Sequence, residues 1–162
     1  MGGIGISIDE FARWWGLDPA KAKRYFKLLR DEVEEVEVEG WRGWALAATL
    51  EKIQAVKPTK NVVRLLPYFD PYTVALARQC PYLMDETYKG RVYRPQGWIS
   101  PVVLVDGRIE GVWESDKKRG KTVVTVEMFA PPSAEVKEGI EAEASHLGNF
   151  LETEIEIVYT HG

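Results

Sequence analysis

Asp70 lies between an apolar run, Val62–Leu66, and Pro71. That pattern is a strand running into a helix, a junction at which a catalytic acid or base is often held. A carboxylate there could activate water if Arg94, with Trp98 nearby, stabilised the charge that develops. The plainer reading is an N-cap, because Asp before Pro at the first helical position is a favoured helix start. A second group is cationic. Lys21, Lys23, Arg24, Lys27 and Arg30 fall within ten residues of one another, residue types that contact phosphate. A third group is aromatic: Tyr68, Tyr72, Tyr82, Tyr88, Tyr93 and Trp98 are interleaved with Arg78, Arg91 and Arg94. Aromatic faces stack bases and arginines bind phosphate, although the same residues equally make the core and rim of a small domain.

Other chemistries are poorly served. His146 and His161 are the only histidines and Cys80 the only cysteine, so no metal site and no internal disulfide are expected. Cys80 precedes a proline and has only Arg78 nearby to activate it. Met1–Gly5 is glycine-rich but follows no strand, so it is not read as a phosphate loop. No cofactor is expected. A lone cysteine fits a reducing compartment, and the cytoplasm is the expected location. No apolar run approaches the ~20 residues of a membrane span, and Met1–Ile8 has neither the basic start nor the apolar core of a secretory leader.

The formal net charge of −4 over 162 residues argues weakly against a polyanionic partner. Its distribution qualifies that. Met1–Arg30 carries six Lys/Arg against three Asp/Glu, and Lys57–Lys121 twelve against seven, while Asp31–Val56 and Thr122–Gly162 are acidic. A binding surface responds to local field rather than net charge.

The elements that would position these groups follow from capping and periodicity. Ser7-Ile8-Asp9-Glu10 matches a capping box, and Gly16 supplies a left-handed stop after Trp15. Asp18-Pro19 restarts a helix expected to reach about Val33, with Ala22, Phe26, Leu29 and Val33 on one arc and Lys23, Arg24, Lys27 and Arg30 opposite. Val36 and Val38 then alternate with glutamates, and Gly40–Gly43 reads as a turn with Trp41 and Arg42 at its tip. Helix, helix, hairpin is the order of a winged helix. A short helix from Ala47 to Val56 closes the unit, and Lys57-Pro58-Thr59 marks a boundary, so residues 1–57 and 58–162 are the expected domains. Beyond it, Val62–Leu66 is a strand, a helix follows Pro71 through Leu76 to Cys80-Pro81, and a second short helix reaches Tyr88. Val102–Val105 is a continuous apolar run, as in a strand covered on both faces. Asp106-Gly107 is a tight hairpin turn. Asp116–Lys121 is a basic turn, and a strand of clear alternation reaches Phe129. Ser133 caps a long helix striped by Val136, Ile140, Leu147 and Leu151, weakened by Gly139 and Gly148 by roughly 1 kcal/mol each. Thr153–Tyr159 is a last strand.

Four stretches, EVEVEGWRGWAL, VRLLPYFDPYTVALAR, YRPQGWISPVVLVDGRIEGVWE and VTVEMFAPPSAEVKEGIEAEASHLGNFLE, carry a family resemblance. They resemble the C-terminal half of the winged-helix DNA-binding family whose characterised members are the AlkZ-type DNA glycosylases, which unhook interstrand crosslinks and excise alkylated bases. The resemblance runs from about Ser7 to Tyr159. It implies an α+β fold, an N-terminal winged helix followed by a β-rich, barrel-like C-terminal domain with a long flanking helix, and no metal or cofactor. In the family the catalytic motif is two glutamines, or a glutamine and an aspartate, one residue apart in the N-terminal half. Here Gln54, Gln79 and Gln96 are followed by Ala-Val, Cys-Pro and Gly-Trp. None makes that pair, so no catalytic residue is carried over.

Three functions remain open at this point. One is a double-stranded DNA-binding module, gripping phosphates with Lys21, Lys23, Arg24, Lys27 and Arg30, with Arg42 on the wing, and with Arg94, Lys117, Lys118 and Arg119 further on. Another is a stand-alone nuclease or glycosylase centred on Asp70, Arg94 and Trp98. The third is an interaction module that pairs with a separate N-terminal-half subunit or with a second copy of itself.

Overall fold

A computed structural model of the chain describes residues 6–38, 41–57, 59–75 and 82–160. Gly40, Pro58, Leu76, Arg78, Gln79, Cys80, Pro81 and His161, which figure in the expectations above, lie outside the described residues. Two units form, Met1–Pro58 with Pro71–Cys80 and Thr59–Asp70 with Pro81–Gly162.

In the first unit, α1 (Ile8–Trp15) begins at a complete capping box. The Glu10 N–H donates to Ser7 Oγ at 3.2 Å, and the Ser7 N–H donates to Glu10 Oε2 at 2.6 Å. Gly16, at φ 67°, ends it. Asp18 then accepts from the Ala20 and Lys21 N–H groups at 2.7 and 3.4 Å, with Pro19 as the first residue of α2 (Pro19–Leu28). The helix stops five residues short of Val33. The N–H groups of Glu32 and Val33 both donate to the Leu29 carbonyl, closing a turn. Val33 opens β1 (Val33–Val38), antiparallel to β2 (Trp41–Leu46), with Val33 opposite Leu46. The period-two Val/Glu alternation prevails over helix continuation, and the helix stripe reduces to buried Ala22 and Phe26. The hairpin also differs from expectation. Pairing continues to Val38–Trp41, so Arg42 sits within β2 opposite Glu37 and not at a tip. Ile6 bridges Trp44 with a 2.9 Å hydrogen bond in each direction, adding a third extended segment beside the hairpin. Phe26 joins the helices to the hairpin, its ring centroid 5.2 Å from Phe11 and 6.0 Å from Trp44. α3 (Ala47–Ala55) follows, and α4 (Pro71–Ala75) packs against α1.

The second unit is a five-stranded sheet in the order β3 (Val63–Leu66), β4 (Val102–Val105), β5 (Arg108–Lys118), β6 (Lys121–Met128), β7 (Glu154–Thr160). A segment carrying α5 (Lys89–Val92) connects α4 to β4. β6 and β7 are parallel, joined over one sheet face by α6 (Ala134–Leu151); the other pairs are antiparallel. Among the described residues nothing pairs β3 with β7, so the expected barrel is an open sheet. The parallel crossover lays a helix across the face that barrel closure would otherwise bury.

Asp106 and Gly107 turn the central hairpin at φ 52° and 87°, the positive values a two-residue type I′ turn needs. The Asp106 carboxylate also accepts from the Asn61 and Val62 N–H groups at 3.1 and 2.8 Å, fixing the entry to β3. Val102 and Val103 point to opposite faces of β4 and both are fully buried, so the sheet is covered on both sides there. The basic turn contracts relative to expectation. β5 continues to Lys118, pairing it with Lys121, and only Arg119 and Gly120 turn. Among the described residues no helix is long and apolar enough to cross a membrane.

α6, capped by the Ser133 hydroxyl, buries Val136, Ile140, Ala144 and Gly148. Leu147 packs partly into the core, whereas Leu151, expected on the stripe, is exposed because the chain turns at Glu152 directly after it. The two glycines are places of close approach. A Cβ at 139 would fall 2.5 Å from Val63 Cγ2, and one at 148 would fall 2.7 Å from Ile155 Cγ1 and 3.0 Å from the Thr153 carbonyl oxygen. Exposed helical Gly→Ala changes gain about 1 kcal/mol. Gly139→Ala and Gly148→Ala are instead expected to lower the unfolding free energy by about 1–3 kcal/mol through overpacking, read from urea denaturation midpoints.

Candidate nucleic-acid interface

The first unit presents its cations on α2. Burial of Ala22 and Phe26 orients the helix so that Lys21, Lys23, Arg24 and Lys27 lie on its exposed side. No ion pair holds any of these four among the described residues. Tyr25 and Leu28 are exposed among them. Arg30 falls in the turn after the helix, 3.6 Å from the Asp31 carboxylate. Arg42 Nε donates to Glu37 Oε2 across the hairpin at 2.9 Å. Both pairs are solvent-exposed, worth about 0–1 kcal/mol each, but they leave those cations partly neutralised.

The second unit carries Lys117 and Lys118 at the end of β5 and Arg119 in the turn, all exposed. Lys118 is paired with Asp116. Away from this arm, a pocket of about 190 Å³ opens on the sheet. Val112 and Glu114 of β5 and Thr125 and Glu127 of β6 floor it, paired Val112–Glu127 and Glu114–Thr125. Arg91, Arg94 and Ser100 form one wall and Tyr68 part of the rim. Arg91 is paired with Glu127, and Ser100 Oγ donates to the Arg91 carbonyl at 2.8 Å. Trp113 Nε1 donates to the Leu66 carbonyl at 2.9 Å, holding the end of β3 against β5.

The aromatic residues sort into two kinds. Tyr88 stacks on Phe129, centroids 4.2 Å apart, and its hydroxyl donates to the Phe129 carbonyl at 2.9 Å, so it is a structural clasp. Tyr68 and Trp98, in contrast, meet at 5.5 Å and are exposed, with Phe69 against Trp98 at 5.1 Å. Asp70, half-buried, follows these rings and precedes α4.

The family described as DNA glycosylase AlkZ-like matches residues 3–150. The chain belongs to the AlkZ-like DNA glycosylase family. It is 32% identical over 155 residues to an interstrand DNA cross-link repair glycosylase from Streptomyces sahachiroi, a match spanning 91% of this chain and 39% of that protein. It also superposes on the solved structure of Streptomyces sahachiroi DNA glycosylase AlkZ with a TM-score of 0.76 at 31% identity, covering 95% of this chain and 42% of that one. The chain therefore spans about two-fifths of the length of these AlkZ-like relatives.

Within this AlkZ-like chain, the ten cations picked out by sequence divide by environment. Arg30, Arg42 and Lys118 have acidic partners, whereas Lys21, Lys23, Arg24, Lys27, Arg94, Lys117 and Arg119 have no ion-pair partner among the described residues. Sequence reasoning missed Phe69, Glu114 and Glu127. The signal for the two glutamates was available in strand alternation, which places residues 112 and 114 on one face and, across the register, 125 and 127 beside them. Phe69 is visible only once its loop is folded.

The segment that leads to Arg91 and Arg94 begins at a turn held by one carboxylate. Asp85 Oδ1 accepts from the Thr87 hydroxyl at 2.7 Å and the Thr87 N–H at 2.9 Å. These bonds hold its carboxyl below the ordinary aspartate pKa, the hydroxyl contributing most. A lowered carboxyl pKa contributes stability above its unfolded value and loses it as pH falls through the folded one. Protection of the Thr87 N–H against hydrogen exchange is therefore expected to persist into acid where ordinary aspartates protonate, then to fall. In Asp85→Ala it should be absent throughout.

Proposed function

We propose that this chain is a DNA-repair module that binds duplex or damaged DNA through a winged helix and does not break a glycosidic bond by itself. The observation that carries the proposal is the exposed face of α2, where Lys21, Lys23, Arg24 and Lys27 have no acidic partners among the described residues. A helix of that character, second in a helix–turn–helix pair, suits the major groove with its lysines on phosphates. The Ile6–Trp44 bridge, α1, the Gly16 turn, α2 and the β1–β2 hairpin follow in winged-helix order, which supports a winged-helix domain over residues 1–57. The remainder, 58–162, is proposed as a second domain, except that α4 packs on α1 and belongs by its contacts to the first unit. Its Lys117, Lys118 and Arg119 arm and Arg94 offer further phosphate contacts. The wing itself is acidic and Arg42 is held by Glu37, so it contributes little grip. Membership of the AlkZ-like family and the cross-link repair activity named for the Streptomyces sahachiroi relative support damaged DNA as the substrate class.

A second reading concerns partners. Trp14, Trp15 and Leu28 are exposed on the first unit, and the chain spans about two-fifths of its relatives' length. The exposed Trp14, Trp15 and Leu28 favour a protein partner, either a separate N-terminal-half subunit or a second copy. Light scattering during size-exclusion chromatography checks the second copy: a dimer mass that Trp15→Ser lowers to a monomer mass supports it, and a monomer at high concentration removes it.

The duplex proposal is tested by fluorescence anisotropy across a salt series. The double variant Lys23→Glu/Lys27→Glu is expected to weaken binding and to flatten the log–log salt slope by roughly one unit per lost phosphate contact. An unchanged affinity and slope would show that α2 is only a solvated face.

A further inference from the structure

Tyr68, Phe69 and Trp98 form an exposed cluster of rings. Trp98 is 5.5 Å from Tyr68 at 60° and 5.1 Å from Phe69 at 81°, both edge-to-face. They are 48%, 45% and 48% exposed for Tyr68, Phe69 and Trp98, although burying such rings is among the larger gains available to a fold. Two loops supply them, the connection after β3 and the turn at Pro95–Gly97. Each loop holds a non-glycine residue at positive φ, Phe69 at 56° and Gln96 at 62°. Bulky side chains rarely adopt that conformation, and strain of this kind gathers at sites of function.

The surroundings indicate a ligand class. Tyr68 also rims the polar pocket, whose wall includes Arg94. Arg94 is exposed, and no ion pair holds it among the described residues. Aromatic faces beside an unpaired guanidinium bind base faces by stacking and the neighbouring phosphate by charge. A protein partner would call for a broader apolar surface, whereas this patch is three rings bordered by a charged pocket. We infer that Tyr68, Phe69 and Trp98 are a stacking platform for an unpaired nucleobase of a DNA strand, with Arg94 against the adjoining phosphate. The inference rests on the DNA binding proposed above but uses a different surface from α2, so the two fail separately.

The test compares a duplex with the same duplex carrying one unpaired 2-aminopurine in a single-nucleotide bulge. Anisotropy measures affinity, and probe fluorescence reports stacking. The full chain is expected to bind the bulged duplex more tightly and to quench the probe. Trp98→Ala should erase that preference, a loss of roughly five- to hundredfold as one missing base–aromatic stack produces, and should abolish the quenching. It should leave intact-duplex affinity within about twofold, because α2 is untouched. Trp98→Phe, which keeps a ring, should retain most of both signals and guards against a folding defect. Lys23→Glu/Lys27→Glu should weaken both duplexes alike and preserve their ratio. Equal affinity for the two duplexes without quenching overturns the platform while leaving duplex binding in place. Failure to bind either duplex overturns both. A change of oligomeric state in Trp98→Ala, with DNA binding unaltered, overturns the platform in favour of a protein contact.

Discussion

The second unit depends on how closely one helix lies on one sheet. α6 approaches β3 and the start of β7 at distances that leave no room for a Cβ at Gly139 or Gly148. That approach brings Val136 and Ile140 onto Val63, Val103, Val124 and Val126, the apolar centre of the unit. It also lets the chain reverse at Glu152 and lay β7 parallel beside β6, where the Lys121–Glu156 pair reinforces the seam and raises the lysine pKa. The helical cost of two glycines, about 1 kcal/mol each, is offset by packing that a larger residue would prevent.

With α6 on one face, the opposite face is left for other work. The segment 82–101 covers it near β4 and β5, docking through the Ile109 N–H, which donates to the Leu83 carbonyl, while the Ser100 N–H donates to the Val92 carbonyl and closes the segment on itself. Cover is complete at Val102 and Val112 but lapses towards Glu114, Thr125 and Glu127, and the pocket opens there. Strand length matters in the same way. β5 outruns β4, so its far half pairs on one side only, with β6, which is itself paired with β7, and becomes a free sheet edge ending at the Arg119-Gly120 turn. The pocket is therefore a consequence of where the 82–101 segment stops covering the sheet, and the exposed basic turn a consequence of how far β5 outruns β4.

Local signals were legible in the sequence because local chemistry decides them. The Ser7 capping box, the Gly16 stop, the Asp18-Pro19 start, the Asp106-Gly107 turn and the Ser133 cap each involve residues within four positions of one another. Legibility failed where two local preferences competed or where distance intervened. Lys, Leu and Arg favour helix through Arg30, yet cross-strand pairing of Val33 with Leu46 claims the following residues, and Arg30 leaves the cationic face with them. The barrel expectation failed because closure depends on which strand meets β3 at the far edge, a contact with no local signature. Gly139 and Gly148 looked like weaknesses in isolation, since their reason for being glycine lies on strands far away in the chain.

The candidate site was legible as a set of residues but not as a set of available charges. A lysine or arginine contributes to phosphate binding through the field it projects, and a carboxylate within 4 Å cancels most of that field beyond a Debye length of about 8–10 Å. Arg42 and Glu37 illustrate this: composition alone counts a cation on the hairpin, but the register sets it opposite an anion. The hairpin glutamates then gain a physical meaning beyond strand alternation. By making the hairpin net acidic they leave α2 as the dominant positive feature of its unit among the described residues, so an approaching polyanion meets its strongest attraction at the helix. An acidic strand beside a basic helix sharpens the orientation of any polyanion that approaches, even as it lowers the total charge.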